Sequence, residues 1–146
     1  MTLYHFCSDK SIRGIMTDGI TRGIVPGFAF ISAPKGGRTG VAVMTKGWQW
    51  VTTDGDPMRQ SWATSEYIKE NRVEFRLTIE IPEKELDSLY DKEKFLTVFP
   101  NHGPLFDEWD GSENWRIYRG NIPKYWIKDI ERWNNETQEW EKYKKR

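Results

Sequence analysis

The sequence predicts a mixed α+β fold built around a largely antiparallel sheet, and three observations carry that reading. From Val73 to Ile81, apolar residues alternate strictly with Glu74, Arg76, Thr78 and Glu80. This period-two pattern marks a strand with one face in a core and one toward water. Near the C-terminal end, Ile127–Trp133 and Gln138–Tyr143 flank the polar pair Asn134-Asn135, which reads as a β-hairpin. Between the strands stand helical spacings, the first being Ile12, Ile15 and Met16 at i, i+3 and i+4. Segregated helices and antiparallel strands define the α+β class.

Taken in order, Thr2 to Phe6 reads as a strand that carries His5. Ser8 is placed to cap the following helix, and Gly19 to stop it. Thr21 to Lys46 holds several glycines, two prolines and Lys35-Gly36-Gly37-Arg38, which predicts loop or short edge structure beside a site. Lys35 and Arg38 are a candidate phosphate contact or an ordinary basic turn, and the glycines lack phosphate-loop spacing. Trp48 to Thr53 reads as a strand. Asp56-Pro57 opens a helix reaching about Lys69, with Met58, Trp62 and Ala63 inward. Pro82 ends the alternating strand, and a charged helical stretch follows with Leu86, Leu89 and Tyr90 at helical spacing. Pro100 to Ser112 is a polar loop, Trp115 to Tyr118 a strand, and Ile122-Pro123 a turn.

At 146 residues, without a repeat or a low-complexity linker, a single domain spanning 1–146 is expected. Basic and acidic residues number 22 each, so net charge gives no support to nucleic-acid or anionic-membrane attraction. No apolar run approaches the roughly 20 residues of a membrane helix, and no signal-peptide core is visible, so a cytoplasmic protein without membrane contact is expected. The lone Cys7 cannot form an internal disulfide; a buried small hydrophobe is its expected role. His5 and His102 have no zinc-like spacing, so no metal site is expected. Eight Trp, six Tyr and seven Phe serve equally as core or as stacking surfaces for a nicotinamide, an adenine or a flipped base.

Three segments in order resemble the ADP-ribosyltransferase-fold family. Leu3-Tyr4-His5-Phe6, a helix with Ile12 and Ile15, and Asp18-Gly19-Ile20 resemble its opening block. Versions of that block occur in bacterial DNA-modifying ADP-ribosyltransferase toxins and, more weakly matched here, in RNA 2′-phosphotransferases. Trp50-Val51-Thr52-Thr53 followed by Ser61-Trp62-Ala63 resembles the second block. Glu113-Asn114-Trp115-Arg116-Ile117-Tyr118, with Ile122-Pro123 and Ile127, resembles the third. The resemblance implies a split, mostly antiparallel sheet with short flanking helices, NAD as co-substrate, and transfer of ADP-ribose to a protein or nucleic-acid acceptor.

The N-glycosidic bond of NAD breaks through an oxocarbenium-like state, the electronic problem that glycosidases also face. A carboxylate near the nicotinamide ribose binds its 2′-OH and stabilises the developing positive charge. By resemblance, Glu113 is the candidate catalytic carboxylate and His5 a contact to the adenosine-side ribose and NAD backbone. Thr52 and Thr53 become the wall against nicotinamide, and Trp50, Trp62 and Tyr67 compete to stack on it. Each has a plainer reading: Glu113 among Asp107, Glu108 and Asp110 is also an exposed acidic-loop residue. Thr52 and Thr53 are also good strand formers, and Trp62 also a helix anchor.

Three departures bear on the resemblance. Cys7 stands where the family often has a hydroxyl, a weaker donor. Gly111-Ser112-Glu113 lacks the paired motif of arginine-modifying members, which disfavours an arginine acceptor. Arg13, Arg22 and Arg38 do not recover the phosphate grip that the phosphotransferase reading needs. The alternative function is a non-catalytic nucleotide- or peptide-binding module on the same fold. A nucleic-acid binder using Arg38, Arg59, Arg116 and Arg119 is a further reading, opposed by the neutral net charge.

Overall fold

The computed structural model describes residues 1–21, 48–55, 74–98, 100 and 112–143. The expected loop over 21–46 beyond its first residue, the helix from Asp56 to Lys69 with Trp62 and Tyr67, and the loop around His102 lie outside them. The opening strand is β1 (Thr2–Cys7), followed by α1 (Asp9–Asp18). Then come β2 (Trp48–Thr52), β3 (Phe75–Glu80), a 3₁₀ turn at Glu83–Ser88, β4 (Leu89–Tyr90) and a short helix α2 (Lys92–Val98). A 3₁₀ turn at Ser112–Asn114 leads into β5 (Trp115–Arg119), another at Lys124–Trp126 into β6 (Ile127–Asn134), and β7 (Glu139–Lys142) closes the hairpin.

The strands form one sheet in the order β4-β5-β2-β1-β3-β6-β7, and every pairing is antiparallel. β1 pairs with β3 along its whole length, from Thr2↔Glu80 to Cys7↔Phe75. With β2 it shares a single rung, Tyr4↔Thr52. The sheet is therefore split between β1 and β2. The fold is α+β, with the split antiparallel sheet and short helices that the resemblance implies.

Alternation decides the core. Leu3 and Cys7 of β1, with Phe75, Leu77 and Ile79 of β3, turn to one face and pack with Val51, Ile12 and Ile15. Leu3, Leu77, Ile79 and Phe75 are fully buried, each contributing roughly 1.5–3 kcal/mol relative to exposure. Ser8 takes the extended N-cap conformation of α1 but makes no side-chain capping hydrogen bond; its carbonyl accepts the first helical bonds, from Ser11 and Ile12 N–H at 3.1 and 3.2 Å. At the other end Gly19, at φ +81°, carries the chain into Ile20, whose backbone bonds Ile122 in both directions at 2.8 and 3.0 Å. That bridge docks the end of α1 on the turn before β6.

Two expectations change. Leu89 and Tyr90 are not helical. They form β4, opposite Tyr118 and Ile117, because pairing to β5 supplies backbone partners that outweigh the 3.6-residue spacing. The helix starts after them, at Lys92, where Asp91 Oδ1 accepts from Lys94 N–H at 2.8 Å. Second, the polar face of β3 is covered at Arg76: its side chain and that of its β6 partner Glu131 are only 21% and 19% exposed. The β6–β7 hairpin carries Trp140 over Arg76, with the guanidinium 4.5 Å from the ring centroid. Among the described residues, no helix is long and apolar enough to cross a membrane.

Candidate functional site

Trp115, Thr52 and Tyr4 lie on one rung across β5, β2 and β1. Residues opposed in an antiparallel ladder share a face. Thr52 thus shares the face of Tyr4, while His5, opposite Leu77, shares the core face with Leu3 and Cys7. Alternation returns Thr53 to the face of His5, one residue farther along β2. His5 is half-buried.

The end of β2 and the head of β5 are tied together by a dense set of hydrogen bonds. Thr53 N–H donates to the Asn114 carbonyl at 2.9 Å. The Thr53 hydroxyl lies 3.3 Å from that carbonyl and 3.2 Å from Asn114 Oδ1. The Thr52 hydroxyl meets Asp54 Oδ1 at 2.7 Å and the Asn114 carbonyl at 3.2 Å. Asn114 Nδ2 donates to Asp54 Oδ2 at 3.1 Å. From the other side, Arg116 Nη1 donates to the Glu113 carbonyl at 3.0 Å. Glu113 sits in the middle of the 3₁₀ turn so anchored, and its side chain is exposed.

Asp54 and Gly55 follow the end of β2. Gly55 has φ +65°, and a Cβ there would stand 3.1 Å from the Tyr4 ring. Arg76 Nη1 donates to the Gly55 carbonyl at 3.1 Å, while Nε and Nη2 both donate to Glu131 Oε1 at 3.0 and 2.8 Å. Its guanidinium stands 5.7 Å from the Tyr4 ring centroid as well as over Trp140. Arg76 thereby couples the β2 turn to the far half of the sheet.

The structure brings Thr52, Thr53 and Glu113 to one end of neighbouring strands. His5 stands on β1, two strands from β5 and across the split from it. Trp50 is on β2 opposite Ile117, its side chain outside the described part, and Trp62 is outside altogether. Asp54, Asn114 and Arg76 escaped the sequence reading. The Asp54-Gly55 pair is an ordinary turn signal, and only the β2–β5 register shows what its carboxylate reaches. Burial pushes the Cys7 thiol up to about 12, with the Glu74 charge adding to it, so Cys7 is an inert core residue at neutral pH.

No family model and no curated protein sequence matches the chain. Among solved structures, a variant of Scabin toxin from Streptomyces scabies is similar at 12% identity and a TM-score of 0.47, covering 96% of this chain and 69% of that one.

Proposed function

We propose that this chain is an NAD-dependent mono-ADP-ribosyltransferase acting on a macromolecular acceptor. The observation that carries the reading is the adjacency of β1, β2 and β5. Three sequence blocks far apart in the chain become neighbouring strands, bonded at Thr53 and Asn114 beside Glu113. The group set suits an extended dinucleotide: an exposed carboxylate at the head of β5 and an imidazole two strands away on β1.

Bound NAD supplies the N-glycosidic bond, whose cleavage leaves an oxocarbenium-like ribosyl group. In this reading Glu113 accepts a hydrogen bond from the nicotinamide-ribose 2′-OH, and its negative charge stabilises the positive charge developing at the anomeric carbon. The same carboxylate orients the acceptor nucleophile or takes its proton. His5 holds the adenosine side and breaks no bond. Thr52 and Thr53 act chiefly through the β2–β5 knot, since their hydroxyls already reach Asn114 and Asp54. We also propose a cytoplasmic location, with which a lone, buried free thiol is compatible.

Release of nicotinamide from NAD, with and without lysate acceptors, tests the proposal. Glu113→Ala is expected to lower turnover roughly 100- to 1,000-fold while the protein still unfolds cooperatively in urea, because the residue is exposed. A parent protein that is thermally stabilised by NAD but never releases nicotinamide assigns the chain instead to a nucleotide-binding module.

A further inference from the structure

We infer that Asp54 is a positioning residue for Glu113. This rests on the reading of Glu113 as the acting carboxylate. Asp54 lies two residues past the end of β2, and its two carboxylate oxygens are used separately. Oδ1 accepts from the Thr52 hydroxyl at 2.7 Å and Oδ2 from Asn114 Nδ2 at 3.1 Å. Asn114 is the residue after Glu113, and its carbonyl is held by Thr53 N–H at 2.9 Å. The carboxylate therefore bridges a strand end and the side chain of the residue that fixes the 3₁₀ turn.

The arrangement has a physical logic. Glu113 is exposed and lies on a single turn, the type of segment that opens easily unless tied down. Hydrogen bonds to an ionised acceptor are about twice as strong as neutral ones, so a carboxylate is an effective clasp for such a turn. Arg116 completes it by binding the Glu113 carbonyl, so the turn is held on both flanks. A misplacement of about 1 Å at a reacting carboxylate costs on the order of 100-fold in rate, so a clasp at one residue's remove reads out in kcat.

The test compares Asp54→Ala, Asp54→Asn, Asn114→Ala and the double variant Asp54→Ala/Asn114→Ala in nicotinamide release. Asp54→Ala is expected to lower kcat roughly 10- to 100-fold and to raise KM for NAD by a smaller factor, since stabilising the developing charge depends more steeply on the placement of Glu113 than its hydrogen bond to the bound ribose does. Asp54→Asn keeps one acceptor oxygen for Thr52 and is expected to recover part of the rate. The double variant is expected to be no slower than the slower single variant, as for two residues of one clasp. Asp54→Ala kcat within twofold of the parent value, or effects of the two single variants that simply multiply, overturns the inference. A second readout does not depend on activity: Asp54→Ala should speed hydrogen exchange at the Thr53 amide at least about tenfold relative to the amides of β3. Unchanged Thr53 exchange overturns the clasp. A parent protein without nicotinamide release removes the Glu113 reading, and with it the positioning role, while the exchange experiment still decides whether the clasp exists.

Discussion

Gly19→Ala isolates how the end of α1 is docked on the turn before β6. Gly19 has φ +81° and ψ −171°, a region of backbone space open essentially to glycine alone. A Cβ there would stand 2.3 Å from the Ile122 carbonyl oxygen and 2.8 Å from the Lys124 nitrogen, both backbone atoms of the turn before β6. A flexible side chain cannot swing aside to relieve this; the chain itself must move. Conformational strain of about 1–3 kcal/mol combines with loss of the two bridge hydrogen bonds between Ile20 and Ile122, about 1 kcal/mol each. The expected cost is about 3–5 kcal/mol, a large part of the 5–15 kcal/mol typical of a folded domain. In urea denaturation that moves the midpoint down by about 2 M at an m-value near 2 kcal/mol/M. Gly14 is the control, inside the same helix, where an added methyl group would meet nothing within 4 Å. Gly14→Ala should stabilise by about 0.5–1 kcal/mol. A Gly19→Ala cost under about 1 kcal/mol, or two variants with the same sign, would refute the docking argument.

Arg76→Lys is expected to cost about 1–2 kcal/mol in urea denaturation, because an ammonium cannot serve Glu131 and the Gly55 carbonyl together while stacking on Trp140. Arg76→Met, which leaves a half-buried Glu131 without its cation, should cost about 2–3 kcal/mol; equal effects for the two variants would contradict this account. Cys7 gives an alkaline dependence. The unfolded thiol ionises near 8.5, whereas the folded thiol holds its proton until about 12, so the unfolded state binds fewer protons over that window and stability falls as pH rises through it. The slope approaches about 1.4 kcal/mol per pH unit. Urea midpoints at pH 7 and about pH 9.5 should fall more for the parent protein than for Cys7→Ala, with identical falls counting against the buried-thiol assignment. Tyr118, raised chiefly by burial and further by Glu85, has the same sign but acts only above its unfolded value near 10.

Much of the fold was legible in local pattern. The alternation of Phe75, Leu77, Ile79 and Ile81 and the Ile12–Ile15 spacing each report which face is apolar, and burial follows from that. Gly19 marks the end of α1 because few other residues tolerate its backbone. The hairpin around Asn134-Asn135 announces itself by its polar turn. Leu89 and Tyr90 show where this legibility stops: a two-residue edge strand has too few residues for a period, and its partner is far along the chain.

The candidate site divides along the same line. Sequence alone selected His5, Trp50, Thr52, Thr53, Trp62 and Glu113, from the order and type of residues in three short blocks. It assigned Arg76 to water because alternation tells inside from outside but not which element covers the other face. It passed over Asp54 and Asn114, whose roles exist only once β2 and β5 are in register. Side-chain periodicity is a local property written in the chain, whereas which strand ends meet is set by pairing across long loops. That pairing puts Glu113 on a tied turn beside Thr53, and leaves His5 on the far side of the split.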